Sequence, residues 1–257
     1  MLKKLLFCIL FIFAMFNTGV SFALGPGTTG ATFLKFGVGA KQVAMGEASV
    51  ASTDDVNSIY WNPAGLANIE NRQISLMHNE WFMGIRYEYL AYCQPMFGGV
   101  GGIAGTLLWI DGIERRISDT LASDGYIPAR DIALTVSYSK KIIENINAGA
   151  NVKIISEQLD DVISTGFAAD IGMLIKLPED RWTAGIMVQN LGYMPPFISD
   201  QLLLPINLKA GLANKYNPDE FSVSEVVFSM DLNYGFIDSV WSVGTGIDYK
   251  INAIHML

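Results

Sequence analysis

From Arg72 onward, apolar and polar residues alternate with a period of two, the pattern of strands that present one face to each environment. "INAGANVKIIS" sets Ile146, Ala148, Ala150, Val152 and Ile154 against Asn147, Gly149, Asn151 and Lys153. "GFAADIGMLIK" sets Phe167, Ala169, Ile171, Met173 and Ile175 against Ala168, Asp170, Gly172, Leu174 and Lys176. "INLKAGLANK" sets Ile206, Leu208, Ala210 and Leu212 against Asn207, Lys209 and Gly211. "VVFSMDLN" sets Val226, Phe228, Met230 and Leu232 against Ser229, Asp231 and Asn233. One face is continuously apolar. The other is polar and glycine-rich, with Asp170, Lys209 and Asp231 in mid-strand.

Ten such segments are predicted, near 72–79, 84–94, 99–110, 130–140, 145–158, 165–177, 181–191, 205–215, 223–234 and 241–251. Most run to ten residues or more. Strands of globular proteins average about 5–6 residues, whereas a tilted strand crossing a bilayer needs about 9–11. The lengths favour an antiparallel transmembrane β-barrel over a soluble sandwich. That places Ile171 and Met173 toward lipid and makes Asp170, Lys209 and Asp231 polar residues of the lumen. The linkers "QPMFGG", "KKIIEN", "LPEDR" and "KYNPDE" predict short turns at one end. The other end includes the longer "DGIERRISDTLASDGYIPA" and "LGYMPPFISDQLL". Short periplasmic turns and long external loops mark outer-membrane barrels. Trp81, Trp109, Trp182 and Trp241 fall near strand ends, where aromatics suit membrane interfaces.

The first 71 residues follow a different pattern. Residues 1–23 join Lys3 and Lys4 to an apolar run from Leu5 to Phe16, then Ser21 and Ala23 ahead of Leu24. This predicts a signal peptide; the run is too short for a spanning helix. Residues 24–71 are turn-rich. Asp54 or Asp55 can cap a turn through Tyr60. Asn62 can cap the next, with Pro63 at its first position, where the missing N–H costs nothing. Tyr60, Trp61 and Leu66 predict burial. The segment therefore reads as a plug inside a barrel formed by residues 72–257, where polar side chains can meet its backbone groups.

Composition adds limits. Charged residues are 16% of the 257, well under the roughly 25% of soluble domains, and apolar residues are 51%. Without residues 1–23 the chain holds 15 basic against 25 acidic side chains, which argues against nucleic acid as a partner. Cys93 is then the single thiol, so no internal disulfide is possible. Candidate chemistry is sparse. His78 and His255 share no metal spacing. Gly99, Gly101 and Ala104 fit a loose dinucleotide pattern, but inside a strand. Glu157, Asp160 and Asp161 form an acidic run that reads as a solvated loop rather than a calcium site. No catalytic set, cofactor or metal is predicted, and the chain is not read as an enzyme.

"GVGAKQVAMGEASVASTDDVNSIYWNPAGLA", with "ADIGMLIK", "WTAGIMVQNLG" and "LPINLKAGLA", resembles the PorV/PorQ family, related to FadL-type outer-membrane barrels. The resemblance spans essentially the whole chain after the leader. It implies a hatch containing Asn62, Pro63, Ala64, Gly65 and Leu66 inside a barrel of about fourteen strands. Ten strands and the ending "INAIHML" predict a barrel that is C-terminally incomplete. The resemblance implies outer-membrane lipid as surroundings and a role in type IX secretion, delivering cargo proteins to the surface. The alternative is a channel for hydrophobic small molecules.

Overall fold

The computed structural model describes residues 29–116, 123–177, 181–197, 203–216 and 223–251. The expected signal peptide, residues 24–28 and His255 lie outside them. The fold is all-β. Ten antiparallel strands form one sheet in chain order: β1 (Gln73–Glu80), β2 (Ile85–Met96), β3 (Gly99–Ile110), β4 (Ala129–Ile143), β5 (Ile146–Leu159), β6 (Val162–Lys176), β7 (Trp182–Tyr193), β8 (Asn207–Tyr216), β9 (Val223–Gly235) and β10 (Val240–Ile251). Every strand pairs only with its sequence neighbours, and β1 is not paired with β10, so the sheet is not closed. Among the described residues no helix is long and apolar enough to cross a membrane.

The strands run further than the alternation predicted. β2 extends through Gln94–Met96, leaving Phe97 and Gly98 as a two-residue turn. Both turn residues have positive φ, the conformation that suits the twist of a tight hairpin. β4 likewise absorbs Lys140–Ile143, so its turn is only Glu144 and Asn145. The opposite end is mixed. Its connections over 111–128 and 194–206 are long, but Asp160 and Asp161 alone join β5 to β6. The acidic run is therefore split. Glu157 is buried within β5, while Asp160 turns outward to pair with Arg115.

Burial is inverted relative to a soluble sheet. On β6, Asp170 is fully buried while Ile171 is 60% exposed. Leu76, Leu134, Val136, Val152, Ile154, Phe167, Met230 and Val243 are exposed on the same outer face. Val226 is an exception on that face, being buried. The inner face holds Asn147, Asn151, Lys153, Asp170, Lys209 and Asp231, all buried. Exposed aromatics bound the outer apolar band. Trp241 and Tyr249 lie eight residues apart on β10, about 26 Å along a strand. Trp241 stacks on its cross-strand partner Tyr234 at 4.5 Å. Tyr249 sits in register with Val226, which pairs in turn with Tyr216. Trp81 departs from this pattern, because it lies in the β1–β2 connection and packs on Phe36 at 4.5 Å.

What covers the inner face is the N-terminal segment, built as two helical turns, α1 (Ala40–Ala44) and α2 (Ser58–Trp61), and two 3-10 helices, Thr32–Lys35 and Pro63–Asn68. Phe33, Val38, Ile59, Trp61 and Leu66 form its core together with Tyr87, Tyr89, Ala91, Cys93 and Ile155 of the sheet.

Candidate functional site

The site is the contact between this segment and the polar face. Asn62 stands at its centre and is completely buried. Its Oδ1 accepts from Ala64 N–H at 3.1 Å, capping the 3-10 helix, and Pro63 occupies the first position. The element is 3-10 rather than α. The same signals start both kinds, and at six residues this one is longer than most 3-10 runs. Asn62 Nδ2 donates to the carbonyls of Val50 at 2.8 Å and Met173 at 3.2 Å. One side chain thus ties three backbone segments together. Ala64, Gly65 and Leu66 follow, all buried. Gly65 is pressed against Thr53 and Ser58; a Cβ there would meet the Thr53 carbonyl at 2.7 Å. Of the two candidate caps before Tyr60, Asp55 serves, accepting from Asn57 N–H at 2.9 Å. Asp54 faces lysines instead.

The sheet receives the segment through glycines. A Cβ at Gly149 would meet Pro63 C at 2.4 Å, and one at Gly172 would meet Asn62 Oδ1 at 2.1 Å. Gly149 and Gly172 are cross-strand partners, as are Gly185 and Gly211. Gly185, Gly244 and Gly246 lie equally close to the backbone of Val50, Gly46 and Met45. The segment's carbonyls then find donors on the sheet: Asn151 to Ile59 at 2.7 Å, Gln189 to Tyr60 at 2.8 Å and Ser139 to Ala64 at 3.3 Å. Buried backbone polar groups need such partners, which explains why a buried sheet face is polar.

Asp170, Lys209 and Asp231 all lie on this face but do different work. Asp170 accepts from Lys153 Nζ at 2.8 Å, Asn151 Nδ2 at 2.7 Å and Asn190 N–H at 2.8 Å. Asp231 accepts from Val50 N–H at 2.8 Å. Lys209 Nζ sits over the rings of Trp61 at 5.1 Å and Tyr60 at 5.6 Å, the arrangement of a cation on an aromatic face. Two groups of ionic contacts hold the segment's periphery. Lys35 pairs with Asp238 in the β9–β10 connection. Lys41 pairs with Asp54 at 3.4 Å and Asp248 at 3.2 Å, while Lys215 and Lys250 approach Asp54 at 3.8 and 3.5 Å. Burial works to raise the Asp54 carboxyl, but Lys41, Lys215 and Lys250 outweigh it and hold it below its ordinary value. Its contribution to stability is thus present above the unfolded carboxyl pKa of about 3.9 and fades as pH falls through the lower folded value. Burial also works to lower Lys41, and the Asp54 and Asp248 carboxylates outweigh it and raise it.

The remaining flagged residues lie apart. His78 is exposed on the outer face, paired with Glu88. Gly99, Gly101 and Ala104 lie in β3. Among the described residues no three His, Cys, Asp or Glu side chains gather as a metal set. Asn190, left out of the alternation, has φ of 59° and makes a bulge between β6 and β7.

Asn62→Ala is expected to loosen the segment while the sheet stays folded. It removes a cap worth about 0.5–2 kcal/mol. It also leaves two carbonyls without their donor, at about 1–3 kcal/mol for each group left buried and unpaired. Limited proteolysis should show new cleavage within residues 55–70, with thermal unfolding of the strands little changed. Loss of all folded protein would instead make Asn62 part of the folding core.

No protein-family model matches the chain, and no curated protein matches it.

Proposed function

We propose that the chain is an outer-membrane β-barrel protein of PorV/PorQ type, with the N-terminal segment as its hatch, acting in protein secretion or surface delivery of cargo. The observation that carries this reading is the inverted sheet. An apolar face exposed across ten strands is far beyond the scattered apolar residues of a soluble surface, whereas lipid requires it. The flanking aromatics suit the two interfaces, and the buried polar face suits an inside filled by a hatch. The short-turn end is then periplasmic. A hatch seated this closely favours a carrier of partners over an open pore.

The second reading, a FadL-like channel for hydrophobic small molecules, draws on one feature. A hollow of about 630 Å³ opens on the outer face around Gly105, lined by Leu76, Leu90, Leu107, Ile132 and Leu134 together with His78 and Glu88.

Two measurements test the proposal. In intact membranes, Ile171→Cys should react with a lipid-soluble maleimide and resist a water-soluble one. Ready reaction with the water-soluble reagent would overturn the membrane placement. Full-length protein extracted gently from its native membrane should bring secreted cargo proteins with it. Bound hydrophobic small molecules without cargo would decide for the channel.

A further inference from the structure

We infer that Asp131 and Glu157 hold one proton between them, and that losing it releases the start of the N-terminal segment from the sheet. The two residues are direct cross-strand partners on β4 and β5. Both belong to the inner face, in step with buried Ala133 and Ile155. Side chains placed this way have Cβ atoms about 5 Å apart, and like charges there repel. Glu157 is only 8% exposed, and its Oε2 is buried without a hydrogen-bond partner among the described residues.

Among those residues neither carboxyl has a base for a partner, and the cations on neighbouring elements are engaged elsewhere. Across the sheet the pair is flanked by Leu108 on β3 and Ser164 on β6, and the Ser164 hydroxyl donates to the Pro195 carbonyl. Tyr87, beyond Leu108 on β2, donates to the Phe36 carbonyl. Lys153, earlier on β5, is taken by Asp170 and Asn190. Arg130 points to the outer face and bonds to Gln158. Arg115 pairs with Asp160 at the β5–β6 turn, where Asp161 adds only negative charge. Lys35 of the N-terminal segment pairs with Asp238.

Two adjacent carboxyls in such surroundings cannot both be charged, whereas one shared proton turns their repulsion into a hydrogen bond. Removing that proton creates a buried double charge that needs water. The cheapest way to admit water is to lift what covers the pair. The cover is the start of the described segment, whose Ala31 backbone reaches the Glu157 carboxyl. Ala31 is held at φ of 47°, a left-handed conformation that costs a residue with a Cβ and persists only under constraint. Its release is therefore favoured once the pair repels. The pair lies at the long-loop end, level with Arg130 and Gln158 of the outer face. The inference goes beyond the delivery reading: it adds control of the hatch by acidity on the external side.

The test follows limited proteolysis of full-length protein in detergent from about pH 5 to about pH 9, with rates normalised to an unfolded substrate. The seated state binds the extra proton, so seating is complete at the acid end and fades as pH rises. Cleavage within residues 29–36 should increase by up to about tenfold per pH unit while the proton is leaving. Asp54 does not interfere, since its charge is lost only below about pH 3.9. Glu157→Gln and Asp131→Asn should each flatten the dependence and keep the alkaline rate near the acid one. Asp160→Asn, at the turn beyond the pair, should leave it as in the wild type. Infrared spectra at neutral pH should show a protonated carboxyl band that Glu157→Gln removes. A wild-type rate that does not change across the range, a dependence that survives in both pair variants, or the same flattening in Asp160→Asn would each overturn the inference. If Glu157→Gln does not fold, Asp131→Asn decides alone, because Asp131 is only half-buried.

Discussion

Gly149→Val and Gly172→Val are expected to unseat the N-terminal segment from the sheet. At Gly149 the new Cβ would fall 2.4 Å from Pro63 C and 2.6 Å from Ala64 N, both backbone atoms that cannot swing aside. At Gly172 it would fall 2.1 Å from Asn62 Oδ1 and 3.0 Å from Pro63 Cδ, so the capping side chain itself would be displaced. Overpacking of this kind costs about 1–3 kcal/mol where the surroundings can adjust. Here the adjustment available is for the whole 3-10 helix to lift. Protease sensitivity should therefore rise across residues 45–70 in both variants. Gly105→Ala is the control. Its Cβ would meet only Leu134 Cδ2, at 3.7 Å on the exposed face, and should change nothing. Wild-type protease resistance in Gly149→Val would mean that the segment is not held where the structure puts it.

The second large effect is expected at Asp170. Asp170→Asn removes the countercharge of Lys153, whose side chain is only 7% exposed. Breaking a buried pair from one side costs about 3–5 kcal/mol, because the remaining charge is left buried and uncompensated. The loss should also reach the β6–β7 bulge, since Asp170 holds the backbone N–H of Asn190, and Lys153 donates to the Asn190 side chain at 2.8 Å. Thermal unfolding in detergent should show a lowered midpoint for Asp170→Asn. Adding Lys153→Met should recover much of it, as both charges are then gone. A double variant no more stable than the single would show that Asp170 acts through the asparagines rather than through Lys153.

The two faces of the sheet were legible because alternation needs no knowledge of what lies opposite. That Asn62 and Pro63 start a helical element was legible for the same reason, since a cap is a local device. Three features were not. The glycines of the polar face were visible as a composition, but their purpose depends on a backbone that arrives from 86 residues upstream at Gly149 to 201 at Gly246. The Lys153–Asp170 pair depends on register, which places Lys153 opposite Ala168 and Asn151 opposite Asp170, so that the ion pair is a diagonal one. The bulge at Asn190 reverses the alternation within β7. Met187 and Gln189 are buried ahead of it, and Leu191 and Tyr193 are exposed beyond it. No pattern of period two could have placed both pairs.

The contacts that seat the N-terminal segment also order its folding. Asn62 bonds to Met173, Val50 to Asp231 and Lys35 to Asp238, separations of 111, 181 and 203 residues. The strands, by contrast, pair only with immediate neighbours, so each hairpin can form as soon as its second strand exists. Closing long loops is the slow part of folding, because chain entropy is lost before the contacts that offset it are made. The segment synthesised first must therefore wait for β9 and β10 before its last anchors exist. Until then its Trp61, Ile59 and Leu66 and the unfinished polar face of the sheet are both uncovered. That interval is when a chaperone has the most to hold.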